Sequence, residues 1–144
     1  QKNQCLGFLK IFIRNSRGKR LTVLIDSWAW IEYFKGTHIA AKAKEIIESS
    51  QKILLSTINA SEIYHFLLKN KPAEAEKLIK FVLSSSFVIP LDSSIALKAA
   101  KIKYDKKIGL ADAIVIATAE ENNAMILTGD DDFKNIGHVI YIGK

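Results

Sequence analysis

The 144-residue chain is short of several residue types, and each shortage removes a class of protein. A single cysteine, Cys5, cannot staple the chain, which excludes a disulfide-built secreted scaffold. One cysteine and three scattered histidines, His38, His65 and His138, make a Cys/His zinc site improbable as the chain's organising chemistry. Two prolines and seven glycines, against 49% hydrophobic and 25% charged residues, do not describe a disordered polymer. No uninterrupted apolar run approaches the ~18 residues of a membrane span, so no membrane partner is expected and the protein is expected in the cytoplasm. Acids are absent from the first twenty residues, and arginines are absent after Arg20.

That last pair of absences locates the charge. The net +6 comes from Lys2, Lys10, Arg14, Arg17, Lys19 and Arg20, while the stretch from Leu21 onward balances its lysines against its acids. Residues 1–20 thus read as a basic N-terminal arm, either an extra edge strand built on Phe8 and Ile11-Phe12-Ile13 or an extension foreign to the domain. Its apolar run is short for a signal peptide, and its basic cluster follows that run instead of preceding it. The domain proper is expected over 21–144, long enough for one real core.

From Leu21 onward, apolar strands alternate with helical patterns. Leu21-Thr22-Val23-Leu24-Ile25 has no polar face, as suits a strand buried on both sides. Asp26 ends it, Ser27 is placed to cap a helix through Phe34, and Gly36 stops that helix. On that helix Trp28 and Ile31 are placed to face the core with Trp30, Tyr33 and Phe34 outward, and the aromatic cluster reads as core packing, as a partner surface or as a stacking surface for RNA bases. A second helix is expected over 39–48, and a second strand over 53–56. A third helix, capped by Thr57 or Asn59, carries Glu62. A fourth opens at Pro72. Residues 87–91 form a third strand, and Ser93 or Ser94 opens a fifth helix. Leu110 to about Glu121 is the most apolar helix, followed by strands at 124–128 and 139–142. Such strand–helix alternation predicts an α/β fold: a single domain with a central parallel sheet of about five strands and helices on both faces.

In open parallel sheets, sites form beyond the carboxyl ends of the strands. Asp26 follows the first strand, and Asp130 follows the fourth after one glycine. Glu62 lies in the helix leaving the second strand. Asp112 lies in the first turn of the helix that feeds the fourth. Each has a bland account, as a cap, a first-turn charge or a solvated acid. However, Asp112 interrupts an almost wholly apolar stretch, and a carboxylate embedded there needs a partner. Clustered carboxylates repel one another unless cations sit among them, and oxygen-only ligands favour Mg²⁺ or Mn²⁺. Carboxylate-held metal serves phosphate chemistry, which predicts hydrolysis of a phosphodiester. A haloacid-type phosphatase would want a second Asp two positions after the first, where Trp28 stands.

Four stretches, in order, carry a family resemblance: Val23-Leu24-Ile25-Asp26-Ser27, Asn59-Ala60-Ser61-Glu62, the run Leu110-Ala111-Asp112 through Ala119, and Leu127-Thr128-Gly129-Asp130-Asp131-Asp132-Phe133. Together they resemble the PIN-domain nucleases, and specifically the VapC-type toxin ribonucleases of toxin–antitoxin systems. The resemblance implies a PIN-like fold and an Mg²⁺- or Mn²⁺-dependent endoribonuclease, with Asp26, Glu62, Asp112 and Asp130 as its catalytic and metal-holding acids. It makes Asp132 an auxiliary metal acid and Ser27 and Thr128 orienting hydroxyls. It further implies attack of water on the scissile phosphate, leaving 3′-hydroxyl and 5′-phosphate ends, and as partners RNA, a cognate antitoxin protein and a second copy of the chain. A PIN nuclease of RNA processing, or a catalytically silent PIN scaffold, are the alternatives. An RNA enzyme needs positive charge near its acids. Lys103, Lys106 and Lys107, which run into the Asp112 helix, are the candidates. The three histidines are not expected to gather near the acids.

Overall fold

The computed structural model describes residues 21–49 and 52–143, so the basic arm expected at 1–20 lies outside the described residues. Five strands, β1 (Thr22–Ile25), β2 (Lys52–Ser56), β3 (Phe87–Ile89), β4 (Met125–Thr128) and β5 (Val139–Tyr141), form one parallel sheet in the order β3-β2-β1-β4-β5. Six helices accompany them: α1 (Ser27–Lys35), α2 (Ala40–Ile47), α3 (Thr57–Asn70), α4 (Ala75–Ser84), α5 (Ser93–Lys106) and α6 (Leu110–Glu121). Among the described residues, no helix is long and apolar enough to cross a membrane.

The two-residue period of a strand divides the core. Val23 and Ile25 of β1, with Ile53, Leu55 and Leu127, pack against Trp30, Ile46, Ile63, Leu67 and Ile79, and so bind α1–α4 to one face. Leu24, Leu54 and Ile126 point the other way, onto Val115, Ile116 and Ala119 of α6 and onto Phe133. α5 packs behind through Ile95 and Ala99 against Ala113, Ile114 and Ala117. β1 is buried on both faces, which is why its sequence shows no alternation.

The chain builds β1, β2 and β3 outward in one direction, then crosses back through α5 and α6 to lay β4 on the far side of β1. The reversal falls between β1 and β4. At such a switch point the connections diverge to opposite faces and leave a crevice at the carboxyl ends of the two strands.

Several boundaries differ from the sequence expectation. The N-cap of α1 is Asp26, with Ser27 already helical. α3 begins at Thr57 after Ser56, and neither Thr57 nor Asn59 caps it. α4 begins at Ala75, with Pro72 left in the preceding turn. Asp92, not Ser93 or Ser94, caps α5, its Oδ1 accepting from Ile95 N at 2.9 Å. The aromatic face of α1 is also reversed. Trp30 is fully buried, stacked on Phe34 and edge-on to Tyr33 and Phe81, whereas Trp28 is only half-buried. A helical stripe of Asp26, Trp30, Tyr33 and Phe34 faces inward, and Trp28 falls off it.

Candidate active site

Register brings the first two groups together. Ile25 pairs with Leu127, so one step further Asp26 stands beside Thr128, its backbone N–H donating to the Leu127 carbonyl at 3.0 Å. The Thr128 hydroxyl donates to Asp26 Oδ2 at 2.9 Å and accepts from the Asp130 backbone N–H at 3.1 Å. Asp130 Oδ1 in turn accepts from the Asp132 backbone N–H at 3.0 Å, opening a short 3₁₀ turn over Asp131–Phe133. Phe133, fully buried against α6, anchors that turn.

The other side of Asp26 is held by α3. Asn59, fully buried, donates through Nδ2 to Asp26 Oδ1 at 3.0 Å and to Glu62 Oε1 at 3.1 Å. Ser27 adds a hydroxyl donation to Glu62 Oε1 at 3.2 Å. Asn59 and Glu62 sit three residues apart on α3, hence on one face.

Two acidic groups result. Asp112, at the first turn of α6, shares a small space with Asp130 and Asp132, one carboxylate oxygen of each lying within 4.8 Å of the others. Asp26 and Glu62, joined by Asn59, form the second. The two groups feel each other's charge. Burial pushes the Asp112 carboxyl up to about 7, with Asp130, Asp26, Asp132 and Glu62 adding to the rise. Asp26 is pushed up to about 6, chiefly by burial and despite the stabilising Thr128 hydrogen bond.

No ion pair among the described residues involves any of these five acids; the paired acids are Glu32, Glu120 and Asp131. An all-oxygen donor set, crowded and without a basic partner, fits a hard divalent cation, whose charge would reverse the upward shifts. The auxiliary Asp132 thus sits with Asp112 and Asp130, while Asp26 and Glu62 lie across the Asn59 bridge. Ser27 and Thr128 both hold carboxylates. Lys103, Lys106 and Lys107 are exposed at the end of α5, and Lys103 Nζ donates to the Ile108 carbonyl at 3.1 Å.

Two residues were not legible from the sequence. Asn59 stood only within a motif, and the i, i+3 spacing with Glu62 was its one signal. His38, expected away from the acids, lines a cleft with Asp130, because the turn after α1 folds back toward the end of β4.

A small parallel α/β domain with an acid-lined crevice at its switch point is the architecture of a class of nucleases. The chain belongs to the PIN-domain family, whose model matches residues 23–139. Similar solved structures include toxin–antitoxin complexes and a VapC toxin. A toxin–antitoxin complex from Klebsiella pneumoniae is 25% identical, with a TM-score of 0.74 over 85% of this chain and 98% of that one. DNA-bound VapBC from Salmonella typhimurium is 16% identical, with a TM-score of 0.70 over 85% and 98%. VapC20 of Mycobacterium tuberculosis, described as a sarcin-ricin loop cleaving toxin, is 16% identical, with a TM-score of 0.68 over 81% and 96%. No sequence among curated proteins matches the chain.

Proposed function

We propose that this chain is a divalent-metal-dependent endoribonuclease and the toxin of a type II toxin–antitoxin pair, working in the cytoplasm. The observation that carries the reading is the Asp112, Asp130 and Asp132 group, within 4.8 Å at the switch point and without a basic partner among the described residues. The similarity to toxin–antitoxin complexes and to a toxin described as cutting the sarcin-ricin loop supports RNA as substrate and an antitoxin as partner. A second copy of the chain is the further partner, suited to the exposed Leu97 and Tyr104, seven residues apart on one face of α5.

In this reading Asp112, Asp130 and Asp132 hold Mg²⁺ or Mn²⁺, and Asp26 and Glu62 complete the acidic site. The bound ion would act as a Lewis acid toward the phosphate and would lower the pKa of the attacking water. Thr128 fixes Asp26 and Ser27 fixes Glu62, so that neither carboxylate swings away from its repelling neighbours. Lys103, Lys106 and Lys107 supply positive charge for the RNA backbone on the approach to α6.

The test is cleavage of a mixed cellular RNA pool with Mg²⁺, Mn²⁺ or EDTA, wild type beside Asp112→Asn. Loss of a ligand's outer partner already costs about 10–100-fold, so losing the ligand should cost at least about 100-fold. Equal cleavage by both proteins, or full activity in EDTA, would overturn the reading. Replacing Lys106 and Lys107 by Ala should weaken RNA binding and flatten its salt dependence. An unchanged salt slope removes those lysines from the interface.

A further inference from the structure

Beside the acids, and sharing Asp130 with them, opens a cleft of about 610 Å³ whose walls include Trp28, Glu32, Thr37, His38 and Tyr141. Whatever occupies it lies next to the phosphate that the acids would process. We propose that this cleft is a nucleobase subsite: it takes an unpaired base of the RNA, stacked on Trp28, with the base's exocyclic amino group donating to Glu32. The proposal rests on the ribonuclease reading for its substrate and deepens it by naming what the protein reads.

Three observations converge. The first is a fixed aromatic surface. Trp28 is half-buried, and its benzo ring lies so close over Gly129 that a Cβ built there would stand 2.3 Å from Cη2. The ring therefore rests on the same turn that presents Asp130, which ties a stacking platform to the site. Bases stack on such side chains when single-stranded RNA is bound.

The second is a held acceptor. Glu32 is half-buried, its Oε2 accepts from the Thr37 hydroxyl at 2.8 Å, and Lys35 Nζ lies 3.6 Å from Oε1. A carboxylate fixed in this way retains lone pairs for a base amino group.

The third is charge. Of the carboxylates lining the cleft, Glu32 is balanced by Lys35 and Asp131 by Lys134 at 3.2 Å, with the Tyr141 hydroxyl also donating to Asp131. Asp130 belongs to the metal-holding group. With its charges paired in this way, the cleft holds no strong surplus of either sign to draw in a free cation or a phosphate. A flat, neutral, donor-bearing group suits it. Cytosine, adenine and guanine carry an exocyclic amino group, whereas uracil does not.

The experiment has two arms. In the first, cut ends from a random-sequence RNA pool are sequenced for wild type, Trp28→Phe, Trp28→Ala and Glu32→Gln. Wild type should show uracil depleted at one position flanking the cut. Glu32→Gln should flatten that depletion, and Trp28→Ala should abolish it, while Trp28→Phe retains it. In the second, fluorescein-labelled octamers of cytidylate, adenylate and uridylate are titrated with Asp112→Asn and followed by fluorescence anisotropy, a readout that does not depend on Trp28. The cytidylate and adenylate octamers should bind more tightly than uridylate, and adding Trp28→Ala should weaken their binding about tenfold.

Base preferences that are the same in all four proteins, or octamers bound equally with and without Trp28, overturn the proposal. So does a fluorescein-labelled arginine-rich peptide whose binding needs Trp28 when no octamer's does, since that gives the cleft to a protein side chain. If wild type cuts no RNA, the ribonuclease reading fails, and the octamer arm alone still decides the cleft.

Discussion

Asn59 shows how much one side chain can organise. Its amide nitrogen reaches two carboxylates 36 residues apart in the chain, while its Oδ1 is buried without a partner among the described residues. Such an orphaned acceptor is costly, and it is tolerated here because the same group holds Asp26 against Glu62. Asn59→Asp should therefore replace the bridge with a third repelling charge. Cleavage should fall steeply, and metal-free melting temperature should drop more than with Asn59→Ala; a variant that melts and cuts like wild type would deny the bridge its role. Gly129 makes a second case, one of space. An added methyl would meet the Trp28 ring at 2.3 Å, and overpacking of this kind costs about 1–3 kcal/mol. Combining Gly129→Ala with Trp28→Ala should recover part of that stability, because the second change makes room for the first. Additive losses in the double mutant, followed by thermal melts, would show that the contact is not the cause. The acids were legible because each breaks an apolar pattern or ends a strand. Asn59 and His38 were not, because their importance lies in neighbours distant in sequence.

At the scale of elements, strands and helices were readable in kind and less so at their ends. Asp92, Ser93 and Ser94 are three eligible caps in a row, and only the turn after β3 selects the first. Asp92→Ala should cost about 1 kcal/mol, read from a denaturant midpoint, with Ser93→Ala near neutral. The face of α1 was misread for a physical reason. Trp28 and Trp30 are both large and apolar, and residue type alone cannot say which lies on the inward stripe. That stripe is set by Asp26, which must stay on the strand-end crevice, and it carries Trp30 inward. Trp30→Ala should cost about 3–5 kcal/mol, more than Trp28→Ala, because only Trp30 leaves a cavity among Tyr33, Phe34 and Phe81. If the two truncations proved equal in chemical denaturation, the packing described for α1 would be wrong.

The whole molecule explains why a chain of net charge +6 carries a site that repels itself. Sequence pattern foretold a parallel sheet and acids near strand ends, but the order β3-β2-β1-β4-β5 came only with the crossover through α5 and α6. That crossover packs α6 against the acids of β1 and β4, and it makes their crowding a property of the fold. Burial of these acids, with their crowding added to it, has a sign that can be measured. Asp26 and Asp112 titrate near 6 and 7 in the folded chain, against 3.8 as the ordinary value. Between about pH 4 and 7 the metal-free native state therefore binds more protons than the unfolded state, and these two groups make stability fall as pH rises. Below that window both states are protonated and the penalty vanishes; above it the penalty is complete. A divalent cation bound only by the native, ionised acids opposes the loss, and more so at higher pH. Calorimetric melts from pH 4.5 to 8.5 should show Asp112→Asn gaining on wild type as pH rises in EDTA. With Mg²⁺ the order should reverse at pH 8, because the variant has lost a ligand. A difference between the two proteins that stayed flat with pH, and was unmoved by Mg²⁺, would mean that Asp112 does not share its space with the other acids.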